Sequence, residues 1–158
     1  MISLGCAKNL VDAELMLGSA KAEGFEITNN PAEADILVVD TCGFIDTAKQ
    51  ESIDAILEAN RQRDELRPDA RIVVSGCLSQ RYSGDLVNEL PEVDAFIGLD
   101  QVAEAGAIFR RVLEEKSPGV MNLVTPKSRY IPDFSTPRFR LTPAHSAYVK
   151  IAEGCNHP

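Results

Sequence analysis

The sequence predicts an α/β domain, a doubly wound and mostly parallel sheet flanked by helices, on three observations. Short β-branched runs alternate with longer helical stretches. The runs are apolar along their length rather than at every second residue. Gly, Pro, Asn or Asp punctuates the joins. A strand covered by helices on both faces buries all its side chains, so a continuous run reads as an inner strand of a parallel sheet.

The runs are Ile2 to Leu4, Ile36 to Val39, Ile72 to Val74 and Ala95 to Ile97. Phe25 to Thr28 is a further strand candidate, following Gly24 in the position that ends a helix. Between them, Asn9 to Glu23 sets Leu10, Val11, Leu15 and Met16 near one face, and Thr47 to Leu66 carries Ile53, Ile56 and Leu57 with charges four apart. Ser79 to Leu90 stops at Pro91. Val102 to Lys116 places Ala105, Ile108, Phe109 and Val112 at helical spacing and ends at Ser117-Pro118-Gly119. Residues 1–116 therefore form the predicted domain, although its strand order does not follow from the pattern. Residues 117–146 hold five of the nine prolines and read as a linker, or a strap lying over the domain. Ala147 to Ile151 reads as a fresh strand, so a new domain is expected to begin at 147–158 and to be cut off.

At 158 residues, with 44% hydrophobic and 25% charged, the composition is that of a globular protein with one core. No stretch approaches the roughly 18 apolar residues of a membrane span, and the N-terminus lacks the basic and apolar regions of a signal peptide. A cytoplasmic location is expected. The net charge of -8 opposes direct nucleic-acid binding, and the acidic residues concentrate before position 117, ahead of a net basic tail. An acidic body suits a basic protein partner, or is simply a solvated surface.

Cys6, Cys42 and Cys77 are 36 and 35 positions apart, one strand-helix-strand unit each. Each follows a strand and precedes a helix, at the carboxyl edge where open α/β sheets bind ligands. Helix N-termini there favour thiolates, and Gly5, Gly43 and Gly76 permit tight turns and close approach. A zinc site wants four closed ligands, and no fourth Cys or His holds an equivalent station. A disulfide would strand one thiol. Soft thiolates select iron-sulfur clusters, and three of them leave one iron of a four-iron cluster open. The alternative is three inert buried thiols. Cys155 would fit as the first member of a close cysteine cluster, or as a terminal remnant.

Ser3-Leu4-Gly5-Cys6-Ala7-Lys8-Asn9-Leu10-Val11-Asp12, Asp40-Thr41-Cys42-Gly43-Phe44-Ile45 with Ala48 and Glu51-Ser52, and Ser75-Gly76-Cys77-Leu78-Ser79-Gln80-Arg81-Tyr82 resemble the N-terminal domain of radical-SAM methylthiotransferases. Tyr148-Val149-Lys150-Ile151-Ala152-Glu153-Gly154-Cys155-Asn156-His157 is similar to the entrance of that family's radical-SAM barrel. The resemblance implies that Cys6, Cys42 and Cys77 ligate an auxiliary 4Fe-4S cluster handling the sulfur or methylthio group. Cys155 would be the first ligand of a second 4Fe-4S cluster that binds S-adenosylmethionine. The motifs around Cys6 and Cys42 resemble the RimO branch, which modifies the β-carbon of an aspartate in a small-subunit ribosomal protein; the alternatives are the tRNA-adenosine branch and a non-catalytic module that docks the ribosomal protein. The remaining barrel cysteines, the barrel and the C-terminal domain lie outside the sequence, so the chain is expected to be an inactive fragment with no catalytic residue of its own. A flavodoxin-like nucleotide binder ranks last, for want of a Gly-rich phosphate loop.

Asn9, Asp12 and Gln80 fall near helix starts and read as caps, or as hydrogen-bonding partners of the cluster or substrate. Asp40 ends a strand or lies near the site. Arg81 offsets cluster charge or is a surface cation. His145 and His157 make neither a ligand pair nor a base.

Overall fold

The computed structural model describes residues 1–115, 119–126 and 130–152. The apolar runs pair as β1 (Ile2–Ser3), β2 (Ile36–Thr41), β3 (Arg71–Gly76) and β4 (Ala95–Phe96), and Met121–Asn122 adds an edge strand, β5. All neighbours are parallel, in the order β1-β2-β3-β4-β5. The helices α1 (Ala7–Ala22), α2 (Asp46–Leu66), α3 (Cys77–Glu89) and α4 (Ala105–Glu114) connect them, with a 3-10 turn at Leu99–Glu104 leading into α4. The expected doubly wound α/β architecture is present. Among the described residues no helix is long and apolar enough to cross a membrane.

Strand alternation divides the interior into two layers. Val38, Val73, Ala95 and Ile97 pack against Val11, Leu15 and Met16 of α1 and Phe109 and Val112 of α4. Val39, Ile72, Val74 and Phe96 pack against Ile56 and Ala59 of α2 and Leu78 and Leu86 of α3. Both faces are thus covered, which is why the runs are continuous.

Helix α1 is buried from Val11 through Ala20 without a break. A helix normally shows one apolar stripe; here the outer face is roofed by the Pro-rich strap. Glu14, fully buried, accepts hydrogen bonds from Leu141 N (2.6 Å), Thr142 N (3.2 Å) and Arg138 Nε (2.6 Å). Its own carbonyl accepts Phe139 N at 2.9 Å, and Lys21 lies over the Phe139 ring. Burial alone would raise the Glu14 carboxyl. The Leu141 N–H, the Arg138 guanidinium and the Thr142 N–H outweigh it and hold the group below the ordinary glutamate value.

Several expectations differ in detail, among them the start of α1 at Ala7 rather than Asn9 and of α4 at Ala105 rather than Val102. Phe25 to Thr28 forms no strand, because Phe25 turns inward and meets Phe109 edge to face at 6.2 Å. Ala147 to Ile151 pairs with no strand either. Lys150 is buried there, whereas Val149 and Ile151 are 79% and 87% exposed. Helix α3 begins at Cys77 itself, two residues earlier than Ser79.

Replacing Glu14 with Ala strands two N–H groups and a guanidinium against α1. Urea denaturation should show a loss of about 3 kcal/mol, with amide exchange rising first over residues 138–142; a change within about 0.5 kcal/mol would contradict the roofing role.

Candidate functional site

Parallel register carries the site. Ser3 is paired with Asp40, Asp40 with Ser75, and Thr41 with Gly76, so β1, β2 and β3 end level. The next residues of all three strands emerge at one edge, and these hold Cys6, Cys42 and Cys77. Cys6 is the residue before α1 and Cys77 the first of α3, while Cys42 lies four residues ahead of α2.

Asn9 locks this edge. Its Nδ2 donates to Leu4 O at 3.0 Å and Thr41 O at 2.9 Å, tying the ends of β1 and β2. The amide oxygen, thereby fixed, accepts from Cys6 Sγ and from Cys77 Sγ at 3.8 Å each. Those two thiols can be no further apart than twice that distance. Gly5, at φ +94°, brings the first loop against Cys42: a Cβ at this position would lie 3.0 Å from Cys42 Sγ. Gly76, at φ +97°, similarly leaves room for Asp40 Oδ1, which a Cβ there would meet at 2.6 Å. Ser52 of α2 fixes the Cys42 backbone from both sides, accepting Cys42 N at 2.9 Å and donating to Cys42 O at 3.0 Å. Arg81 donates to Gly43 O at 3.2 Å, and Thr41 Oγ1 donates to Ser75 O.

The thiols differ in environment. Cys42 is buried, Cys77 half-buried and Cys6 exposed. Burial, followed by the nearby Cys42, Cys6, Asp40 and Asp12 charges, pushes the Cys77 thiol up to about 12. The favourable helix N-terminus expected from the sequence is thus outweighed at Cys77, and an ion-free site holds this thiol protonated. A coordinated cation inverts that balance. Among the described residues no three His, Cys, Asp or Glu side chains close in as a single metal ion requires.

Asp40 is fully buried, on the sheet face shared with Val38. Ser3 Oγ donates to its Oδ2 at 3.4 Å, while Asp40 Oδ1 and Ser75 Oγ have no hydrogen-bond partner among the described residues. Its carboxyl is raised well above the usual value, by burial first and then by Asp12, against smaller opposing effects of Ser3 and Lys150.

The helix-start residues do not act as caps. Asn9 brackets the strands, Asp12 binds Lys150, and Gln80 donates to Thr125 O at 2.6 Å while accepting Leu99 N at 2.9 Å. Arg81 is exposed and reaches the Cys42 loop through its hydrogen bond to the Gly43 carbonyl. His145 is exposed. Cys155 and His157 lie outside the described residues. Sequence reasoning missed the roles of Lys150 and Glu14; the available signal was a lysine inside the run Tyr148 to Ile151, and a glutamate set between the apolar Val11, Ala13, Leu15 and Met16 of α1.

The model of the family described as "Uncharacterized protein family UPF0004" matches residues 1–98, which contain all three clustered cysteines. The chain belongs to the UPF0004 family. Its relatives include proteins named ribosomal protein uS12 methylthiotransferase RimO. That of Akkermansia muciniphila is 51% identical over 99% of this chain and 35% of its own length. The Opitutus terrae protein is 49% identical over 100% and 35%, and that of Caldicellulosiruptor saccharolyticus 46% identical over 99% and 34%. The UPF0004 chain spans about a third of the length of these curated relatives.

Asp40 supplies a pH test. Its folded-state carboxyl keeps a proton that the unfolded chain releases near the usual 3.8. Between that value and the raised one, increasing pH therefore removes stability. Urea midpoints of Asp40→Asn and the parent should diverge as the pH rises above the usual 3.8, the variant gaining relative stability; parallel curves would contradict the buried carboxyl.

Proposed function

We propose that this chain is the auxiliary iron-sulfur domain of a radical-SAM methylthiotransferase, with Cys6, Cys42 and Cys77 as ligands of a 4Fe-4S cluster. The observation that carries the reading is the convergence of three thiols from separate strand ends around one fixed amide, Asn9. Three soft thiolate donors suit an iron-sulfur core and leave one iron of a four-iron cluster open. When bound, such a cluster offers an open iron to the sulfur or methylthio group that is transferred.

The chain's own residues bind and orient. Asn9 holds the Cys6 and Cys42 loops together, Ser52 sets the Cys42 backbone, and the burial of Cys42 and Cys77 limits water on that side. No side chain in this set is positioned as a general acid or base. The names of the relatives support ribosomal protein uS12 as substrate, and the aspartate β-carbon is the site that the resemblance implies. In the same reading Cys155 opens the second, S-adenosylmethionine-binding 4Fe-4S cluster, residues 147–158 begin the radical-SAM domain after a linker, and the chain works in the cytoplasm but not alone.

Anaerobic reconstitution with ferrous iron and sulfide should give a brown protein with about four irons per chain. Cys42→Ala should lose the colour and the iron. A chain that stays colourless, or an alanine variant that loads as well as the parent, would contradict the assignment.

A further inference from the structure

The charged cluster beneath the thiols contains one residue supplied from the far end of the chain. Lys150 Nζ lies 2.7 and 2.9 Å from the two Asp12 oxygens, and both side chains are almost wholly buried, at 1% and 2% exposure. The segment that delivers it has no ladder to any strand, and its apolar residues Val149 and Ile151 point to solvent. Apolar burial therefore does not explain why it lies where it does.

We propose that the Asp12–Lys150 pair is a latch that seats residues 147–151 on the cysteine-bearing helix α1, making Lys150 a positioning residue for the thiol site. Two further observations support it. Tyr148 lines a cleft together with Ser3, Gly5, Cys6 and Leu10, so the latched segment forms a wall on the Cys6 side. Asp12 stands one turn beyond Asn9, whose amide oxygen accepts from Cys6 and Cys77, so the latch sits on the helix that organises the thiols. With Lys150 seated, the Asp12 carboxylate is neutralised by its partner. With Lys150 withdrawn, that carboxylate is bare, and three thiolates become harder to assemble beside it. Seating of the segment and loading of the site are thus coupled, and the coupling acts equally in both directions.

The test uses the whole chain with Asp12→Asn, Lys150→Met and the double variant. Amide exchange over residues 147–151 should be about tenfold faster in each single variant than in the parent, and in the parent it should slow when the cluster is loaded. Reduction potentials carry the electrostatic arm, which rests on the cluster reading above. Lys150→Met should lower the midpoint and Asp12→Asn raise it, each by roughly a tenfold change in the equilibrium, 59 mV for one electron. The double variant, with neither charge, should return close to the parent. A purely structural role would move both single variants the same way.

The latch is overturned if exchange in both single variants stays within about twofold of the parent, or if the two potentials shift in the same direction. Should Lys150→Met fail to fold, the near-isosteric Asp12→Asn decides. If the parent takes up no iron the cluster reading falls, and exchange alone then judges the latch.

Discussion

The site depends on in-register parallel pairing at the carboxyl ends of β1, β2 and β3. Ser3, Asp40 and Ser75 stand in one row across the sheet, and that row levels the three loops bearing Cys6, Cys42 and Cys77. A slip of one residue in either pairing would displace a loop by about 3.3 Å and exchange the faces of its strand. The Asn9 amide crosses the seam between β1 and β2 and binds both strand ends, so the same side chain that closes the seam also presents its oxygen to two thiols. Strand pairing and site geometry are therefore one constraint, and the positive-φ glycines at 5 and 76 let the loops close over it without steric conflict.

The electrostatics run against easy folding. Asp12, Asp40 and Cys42 are all buried near the site, and the buried Lys150 is paired with Asp12. A buried carboxylate is stable only when paired or protonated, and one Asp40 oxygen has no hydrogen-bond partner among the described residues. Natural domains tolerate such arrangements chiefly where chemistry needs them. Here the carboxylates and thiols are poised to receive positive charge, as iron ligation would supply. The strap makes a matching contribution from outside: Glu14 collects three donors from residues 138–142, and Asp12 collects Lys150. Two acids on one helix thus fasten a segment that has little apolar contact of its own.

Much of this was legible in the residues. The continuous runs at 36–39 and 72–74 announced inner parallel strands, and near-equal spacing announced that the cysteines share one station. The rest depended on tertiary contacts that no local pattern encodes. Asn9 reads as a cap, since its type and place suit one, and only the adjacent ends of two strands reveal its other use. The unbroken burial of α1 makes sense once the strap is seen to cover it. Phe25 to Thr28 has strand-like composition, but the Phe109 ring offered Phe25 a better partner than the sheet edge did. Strand β5 is two residues long within a Pro-rich stretch and carries almost no periodic signal. The burial of Lys150 had no local signal, because the acid that pairs with it is 138 positions away.

The convergence of the three thiols can be measured without metal. The iron-free, fully reduced chain would be treated at high dilution with a short bifunctional thiol reagent, and the linked peptides mapped by mass spectrometry. The account predicts intramolecular links for all three pairs, Cys6–Cys42, Cys42–Cys77 and Cys6–Cys77, in the folded chain, and their loss in urea. Labelling of the three cysteines singly, with no link between any pair while the chain is folded, would contradict it.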